Sequence, residues 1–378
     1  MASCETTRKE PCNVAWYGLP SGVAAFLISL LAGAAILLFI VRPIARWTSS
    51  WGMPRRARVL AIGAGVGYGL LGRLAFGLSY AHSDGGFPDW FLSSFAVMSL
   101  SFLGLVPIVI GFLEQSAPDP LPRRNVWVRA FFAPMVPVSL MLGLMALLSI
   151  EGSLCIAMAL PIFLSLAGVG GCLGLVARRH SSGKGHARGT TLMIALPYLL
   201  APIEHRIAPK TEQREVENVV HIRAAPSVVW REIKSVRAID AGELPLHLAH
   251  VIGLPRPLEA TLSRDGIGAV RIAKFERGLE FVETVSDWQP ERRLSFTIAA
   301  RPAPRSALDE HVAVGGAYFD VLDGTYELQP LADGSTSLKL KSHHRLSTHF
   351  NFYARWWTDF IMSDLQFAIM DVIRKRCE

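Results

Sequence analysis

The chain has 378 residues, of which 51% are hydrophobic and 18% charged, with a formal net charge of +7. The charge does not mark a nucleic-acid binder, because it is confined to one part. Through Ile203 there are 15 Lys and Arg against 7 Asp and Glu, and from Glu204 onward 23 against 24, so the second half has no bulk charge to attract a polyanion.

Five apolar runs are each long enough for a bilayer crossing, which takes about 20 residues. They are Pro20–Val41, Val59–Tyr80, Trp90–Leu113, Val126–Ile150 and Ser153–Val176. They almost lack the polar residue that a water-facing helix carries at every third or fourth position. The first run is too long for a signal-peptide core and ends in Arg42-Pro43 without a small-residue cleavage site, so it is expected to be retained.

The connections alternate in charge. Arg42, Arg46, Arg55, Arg56 and Arg58 follow the first run, Arg123, Arg124 and Arg129 the third, and Arg178, Arg179, Lys184 and Arg188 the fifth. His82–Asp89 and the turn around Glu151 hold no Lys or Arg. The positive-inside rule then places the basic loops in the cytoplasm and the amino terminus outside.

A sixth stretch, Thr190–Ile203, contains Pro197 and Pro202. Its length of about 21 Å as a helix falls short of the ~30 Å hydrocarbon core. A short span, a re-entrant piece and an interfacial helix all remain open for it. Within the second run, Gly63 with Gly67 and Gly65 with Gly69 have the spacing for close helix packing in a membrane. No strand precedes them, which excludes a nucleotide-binding loop. Cys4, Cys12, Cys155, Cys172 and Cys377 have neither metal-ligand nor disulfide-framework spacing.

From Arg214 the pattern shifts to period two. Glu217–Arg223 reads as a strand, and Ala225-Pro226 opens a helix with Val228, Val229, Trp230 and Ile233 on its buried face. An irregular stretch, Asp240–Leu258, precedes strands at Glu259–Arg264, Ala269–Phe275, Leu279–Trp288, Leu294–Ala300, Phe319–Pro330 and Ser335–Leu346. The turns Arg264-Asp265-Gly266, Arg277-Gly278 and Ala332-Asp333-Gly334 favour an antiparallel meander. The loop Arg301–Tyr318 reads equally as a lid or as disorder. A final helix, Asn351–Arg374, carries an apolar stripe that only the sheet is large enough to cover.

The order of elements resembles the helix-grip fold of the START and polyketide cyclase/dehydrase (SRPBCC) superfamily. The residues that carry the resemblance are Ala224-Ala225-Pro226-Ser227-Val228-Val229-Trp230 after the opening strand, Asp287 through Leu294, the Asp333-Gly334 hairpin and the last helix. Ile150-Glu151-Gly152 and the following span look like the hydrophobic region that accompanies such domains in some bacterial proteins. The expected fold is an α-helical transmembrane bundle followed by an α+β helix-grip domain, a curved antiparallel sheet around a long C-terminal helix. The expected divisions are a tail (1–19), a membrane domain (20–203), a linker (204–213) and the ligand-binding domain (214–378). The resemblance implies a pocket for an apolar or amphipathic molecule, with catalysis in some branches only, and a bacterial inner membrane as the location.

Strand phase gives a cavity list, because alternate side chains share a face. It comprises Leu294, Phe296 and Ile298, then Leu322 and Tyr326, then Leu338, Leu340, Ser342 and His344, with Trp357 and Ile361 from the last helix. His344 is a candidate general acid or base or a histidine hydrogen-bonded at the rim. Glu283 and Asp320 are the other catalytic candidates. In the membrane half, Arg73 and Glu151 form an outer-side ion pair, or else a snorkelling arginine and a solvated turn glutamate. No cofactor or metal is implied. The expected partners are the bilayer and a lipid or apolar small molecule bound or transferred by the C-terminal domain. A cyclase, dehydratase or hydrolase is the alternative, and a transporting or sensing membrane half regulated by the cavity domain ranks last.

Overall fold

The computed structural model describes residues 53–77, 96–115, 125–180, 184–240, 242–301 and 314–378. The first apolar run and loop residues 302–313 lie outside the described residues. The helical half comprises α1 (Met53–Gly77), a π-helical turn (Ser101–Leu105) that continues into α2 (Val106–Glu114), α3 (Val126–Phe132), α4 (Met135–Leu147), α5 (Ser153–His180) and α6 (Lys184–His205). Among the described residues, three helical stretches are long and apolar enough to cross a membrane: Arg56–Gly77, Val126–Leu147 and Ser153–His180. The stretch Thr190–Ile203 is not a separate short piece. It is the second part of α6, 22 residues long with both prolines inside, whose polar first turns hide its length from a hydropathy reading.

Close approach between these helices depends on missing side chains. A Cβ added to Gly111 of α2 would lie 1.9 Å from the Ala167 carbonyl oxygen of α5, so the two backbones pack almost directly against each other. Phe76, Val106, Ile110, Val138, Met141 and Phe163 fill the shared interior.

The second half forms one seven-stranded antiparallel sheet in the order β1-β7-β6-β5-β4-β3-β2. The strands are β1 (Thr211–Ile222), β2 (Pro257–Leu262), β3 (Val270–Phe275), β4 (Glu280–Gln289), β5 (Arg293–Arg301), β6 (Phe319–Pro330) and β7 (Thr336–Ser347). Two helices, α7 (Pro226–Lys234) and the short α8 (Leu248–Val251), intervene before β2, and α9 (Asn351–Cys377) closes the chain. The opening strand thus begins at Thr211, inside the expected linker.

At one end of the domain the core is solid. Trp230 of α7 meets Trp288 edge-on at 5.1 Å, over Ile222, Leu294, Leu338 and Ile373. Toward the other end α9 stands away from the sheet.

Candidate functional site

The space between α9 and the sheet is a cavity of about 760 Å³. Along α9 its wall is Ala354, Thr358, Ile361, Met362, Leu365, Gln366 and Ile369, a spacing of three and four that keeps one helical face inward. From the strands, alternate residues point in: Arg271, Ala273 and Phe275 of β3, Phe281 and Glu283 of β4, Phe296 and Ile298 of β5, and Leu340, Ser342 and Leu346 of β7.

Six of the eleven cavity residues expected from strand and helix phase line it: Phe296, Ile298, Tyr326, Leu340, Ser342 and Ile361. The other five do not, for identifiable reasons. Leu294 and Leu338 are on the right face but one register too deep, in the solid core. Leu322 falls on a bulge, where pairing slips between Val321 and Asp323 against β7. Before the slip the phase of β6 is reversed, so Phe319 and Val321 face the cavity there, while Gly324 and Tyr326 beyond it keep the expected phase. Trp357 is one position off the inward stripe of α9 and is half-buried beside Tyr353.

His344 is fully buried yet outside the cavity lining, packed 5.5 Å from the Phe319 ring. Its Nε2 lies 3.6 Å from Asp359 Oδ1, too far for a hydrogen bond, and Asp359 is already held by Arg214 at 2.8 and 2.6 Å. Burial pushes the His344 imidazole down to about 4, with Asp359 opposing. Asp320 is likewise outside the cavity lining.

Glu283 does reach the cavity, and not alone. Opposite it in the β3–β4 register is Arg271, and the two form a buried ion pair. Burial raises the Glu283 carboxyl above its ordinary range, while the adjacent Arg271 charge opposes that rise. Burial also pushes the nearby Tyr326 phenol up to about 12, against the pull of Arg271. The Arg271 guanidinium lies 5.6 Å from the Phe296 ring centre, and Phe296 can lie across β6 because its cross-strand neighbour is Gly324. A Cβ on Gly324 would sit 2.7 Å from that ring. Arg271 Nε is buried without a hydrogen-bond partner among the described residues.

A second polar point lies midway along α9. Gln366 donates to the Ser342 hydroxyl at 3.0 Å and the Val216 carbonyl at 3.1 Å, and accepts from Asn218 at 2.7 Å. Its polar groups are satisfied within the protein.

Sequence phase missed Arg271 because Val270 and Ile272 make the opposite face of β3 look like the inner one. It also missed a wall from the other half of the chain: Met98, together with Gly152–Cys155 and Met158 at the start of α5, lines the same cavity. In the helical half the structure pairs Arg73 with Glu151, both side chains largely buried. Among the described residues, no group of three or more His, Cys, Asp or Glu could hold a metal.

Seven antiparallel strands around one long helix, with a cavity between them, is the helix-grip arrangement. No protein-family model matches the chain, and comparison with curated proteins finds no match. Solved structures similar to this chain include truncated norcoclaurine synthase from Thalictrum flavum, 15% identical, covering 44% of this chain and 94% of that one with a TM-score of 0.28. An uncharacterized protein from Rhizobium leguminosarum is 14% identical over 43% of this chain and 99% of that one, TM-score 0.28. DynU16, a protein of the dynemicin biosynthetic locus, is 16% identical over 40% of this chain and 46% of that one, TM-score 0.22.

Proposed function

We propose that this protein binds or transfers a lipid or other amphipathic small molecule in the cavity of its helix-grip domain, while the helical half tethers that domain to a membrane. The observation that supports this most is the cavity itself: about 760 Å³ with largely apolar walls and one buried ion pair at its inner end. Apolar walls favour a chain or ring system by removing its surface from water. Tethering keeps the cavity at high effective concentration relative to bilayer lipids.

A cyclase, dehydratase or hydrolase would need an acid or base in contact with substrate. Of His344, Glu283 and Asp320, only Glu283 lines the cavity, and Arg271 engages it. Binding is therefore the reading that the geometry favours.

The test is a titration of the full chain in detergent micelles with cis-parinaric acid, whose fluorescence rises in apolar surroundings. Saturable binding of one probe per chain is expected. Probe signal no greater than that of empty micelles contradicts the proposal.

A further inference from the structure

The two ends of the helical half differ in charge, and the cavity meets only one of them. At one end, Arg178 of α5 reaches the Gln115 carbonyl just past α2, and the Arg179 guanidinium lies 5.3 Å from the Trp127 ring of α3. α1 runs antiparallel to α2, with Gly65 beside Ile110 and Gly72 beside Val106, so Arg56 and Arg58 belong to that same end. At the opposite end lie the Arg73–Glu151 pair and Glu204, whose carboxylate accepts from the Leu100 and Ser101 amides at 2.6 and 2.8 Å. The last turn of α6 is thereby fixed at the end remote from the basic residues, with the sheet domain beginning directly after it.

The sheet domain touches this second end. Ser153 donates to the Ile252 carbonyl at 2.8 Å, and Tyr353 donates to the Met158 carbonyl at 2.6 Å. Gly253 has φ +105°, and a Cβ there would come 2.3 Å from Ser153 Oγ, so the close approach requires glycine. With 28 residues, α5 is about 42 Å long against a hydrocarbon core of ~30 Å, so its first turns emerge where the cavity is. The first half of α9 also leaves Phe352, Trp356 and Phe360 exposed at four-residue spacing, with Trp356 at 71%. An aromatic row of this kind suits the headgroup boundary.

Resting on the proposed binding function, we infer that the helix-grip domain lies on the non-cytoplasmic face of the membrane. Its cavity opens onto that leaflet at the first turns of α5, and a bilayer lipid is its occupant. The basic end is cytoplasmic by the positive-inside rule, and α6 is the crossing that brings the chain back. The mouth lies where Ser153 and Cys155 at the start of α5 meet Gly253 and Leu254, all of which line the cavity without being buried, and the Arg271–Glu283 pair marks the inner end.

Two measurements on the full chain test this. Alkaline phosphatase fused after Glu378 is expected to be active and green fluorescent protein at the same point dark; the reverse pattern overturns the assignment of side. In a variant retaining only Cys155 (Cys4, Cys12, Cys172 and Cys377→Ser), a membrane-impermeant maleimide is expected to label intact spheroplasts. With cis-parinaric acid at about ten times its Kd, labelling should slow about ten-fold, because about one cavity in ten stays empty. Labelling only after lysis overturns the side, and labelling unchanged by a probe that the protein demonstrably binds overturns the shared mouth. If no probe binds at all, the binding function itself falls and the mouth with it, while the fusion pair still decides the side.

Discussion

The helical half and the sheet domain treat their interiors in opposite ways. Between α2 and α5, absent side chains bring backbones into contact and leave no room: the missing Cβ of Gly111 would overlap the Ala167 carbonyl. Between the sheet and α9, Gly324 instead makes room for the Phe296 ring beside a space of about 760 Å³. Each half also buries an arginine–glutamate pair, Arg73–Glu151 near a helix end and Arg271–Glu283 inside the domain. The contrast teaches that the same residue types serve closure in one half and an open, partly polar chamber in the other.

The largest expected effect breaks the domain's pair. Glu283→Gln leaves a buried arginine without its counter-charge and should destabilise the domain by about 3–5 kcal/mol, whereas Arg271→Met with Glu283→Leu should restore most of that. Denaturant unfolding in micelles reads both. In the helical half, Glu151→Gln should have a smaller effect, because the long Arg73 side chain stands at a helix end and can turn its guanidinium outward while its stem stays over apolar surface.

Next comes the glycine contrast. Gly111→Leu drives carbons into backbone that cannot yield, and a loss of about 3 kcal/mol or more is expected, seen as aggregation on size exclusion. Gly324→Ala presses only on a ring that borders empty space, and about 1 kcal/mol is expected. Equal losses would dissolve the distinction between a closed and an open interior.

A pH series sharpens the same comparison. His344 titrates at about 4 in the folded domain because it is buried, against about 6.5 when unfolded. The unfolded chain therefore binds the extra proton between those values. Stability is fully present above about pH 6.5, declines as pH falls toward 4, and changes no further from this group below that. The change is about 3 kcal/mol at most by the usual conversion. His344→Phe should flatten that part of the profile; an unchanged slope would assign it to other groups.

The smallest effect belongs to the outer face of the sheet. Lys341 pairs with Glu215 at 2.7 Å in the open, and Lys341→Ala should leave the denaturant midpoint unchanged within error.

Much of the sheet domain was legible in the sequence, because period-two strands, their turns and the helix opened by Pro226 are local signals. Six cavity residues followed from phase alone. What escaped is non-local or irregular: the bulge at Leu322, ahead of which β6 has the opposite phase, the inward phase of Arg271 masked by Val270 and Ile272, and the contribution of Met98 and the start of α5. In the helical half, hydropathy marked the runs but not the full extent of α6, whose polar first turns conceal its length. Pairing across 78 residues, as in Arg73–Glu151, can be suggested by sequence but only geometry brings the side chains together.

Filling the chamber tests the central claim most directly. Ile361 points into the cavity from α9, and Ile361→Trp places an indole in that space. Titrated with cis-parinaric acid beside the wild type, and shown by circular dichroism to be folded, the variant is expected to lose the saturable one-per-chain binding. A folded Ile361→Trp protein that binds the probe with wild-type affinity and stoichiometry would place the ligand elsewhere and contradict the account.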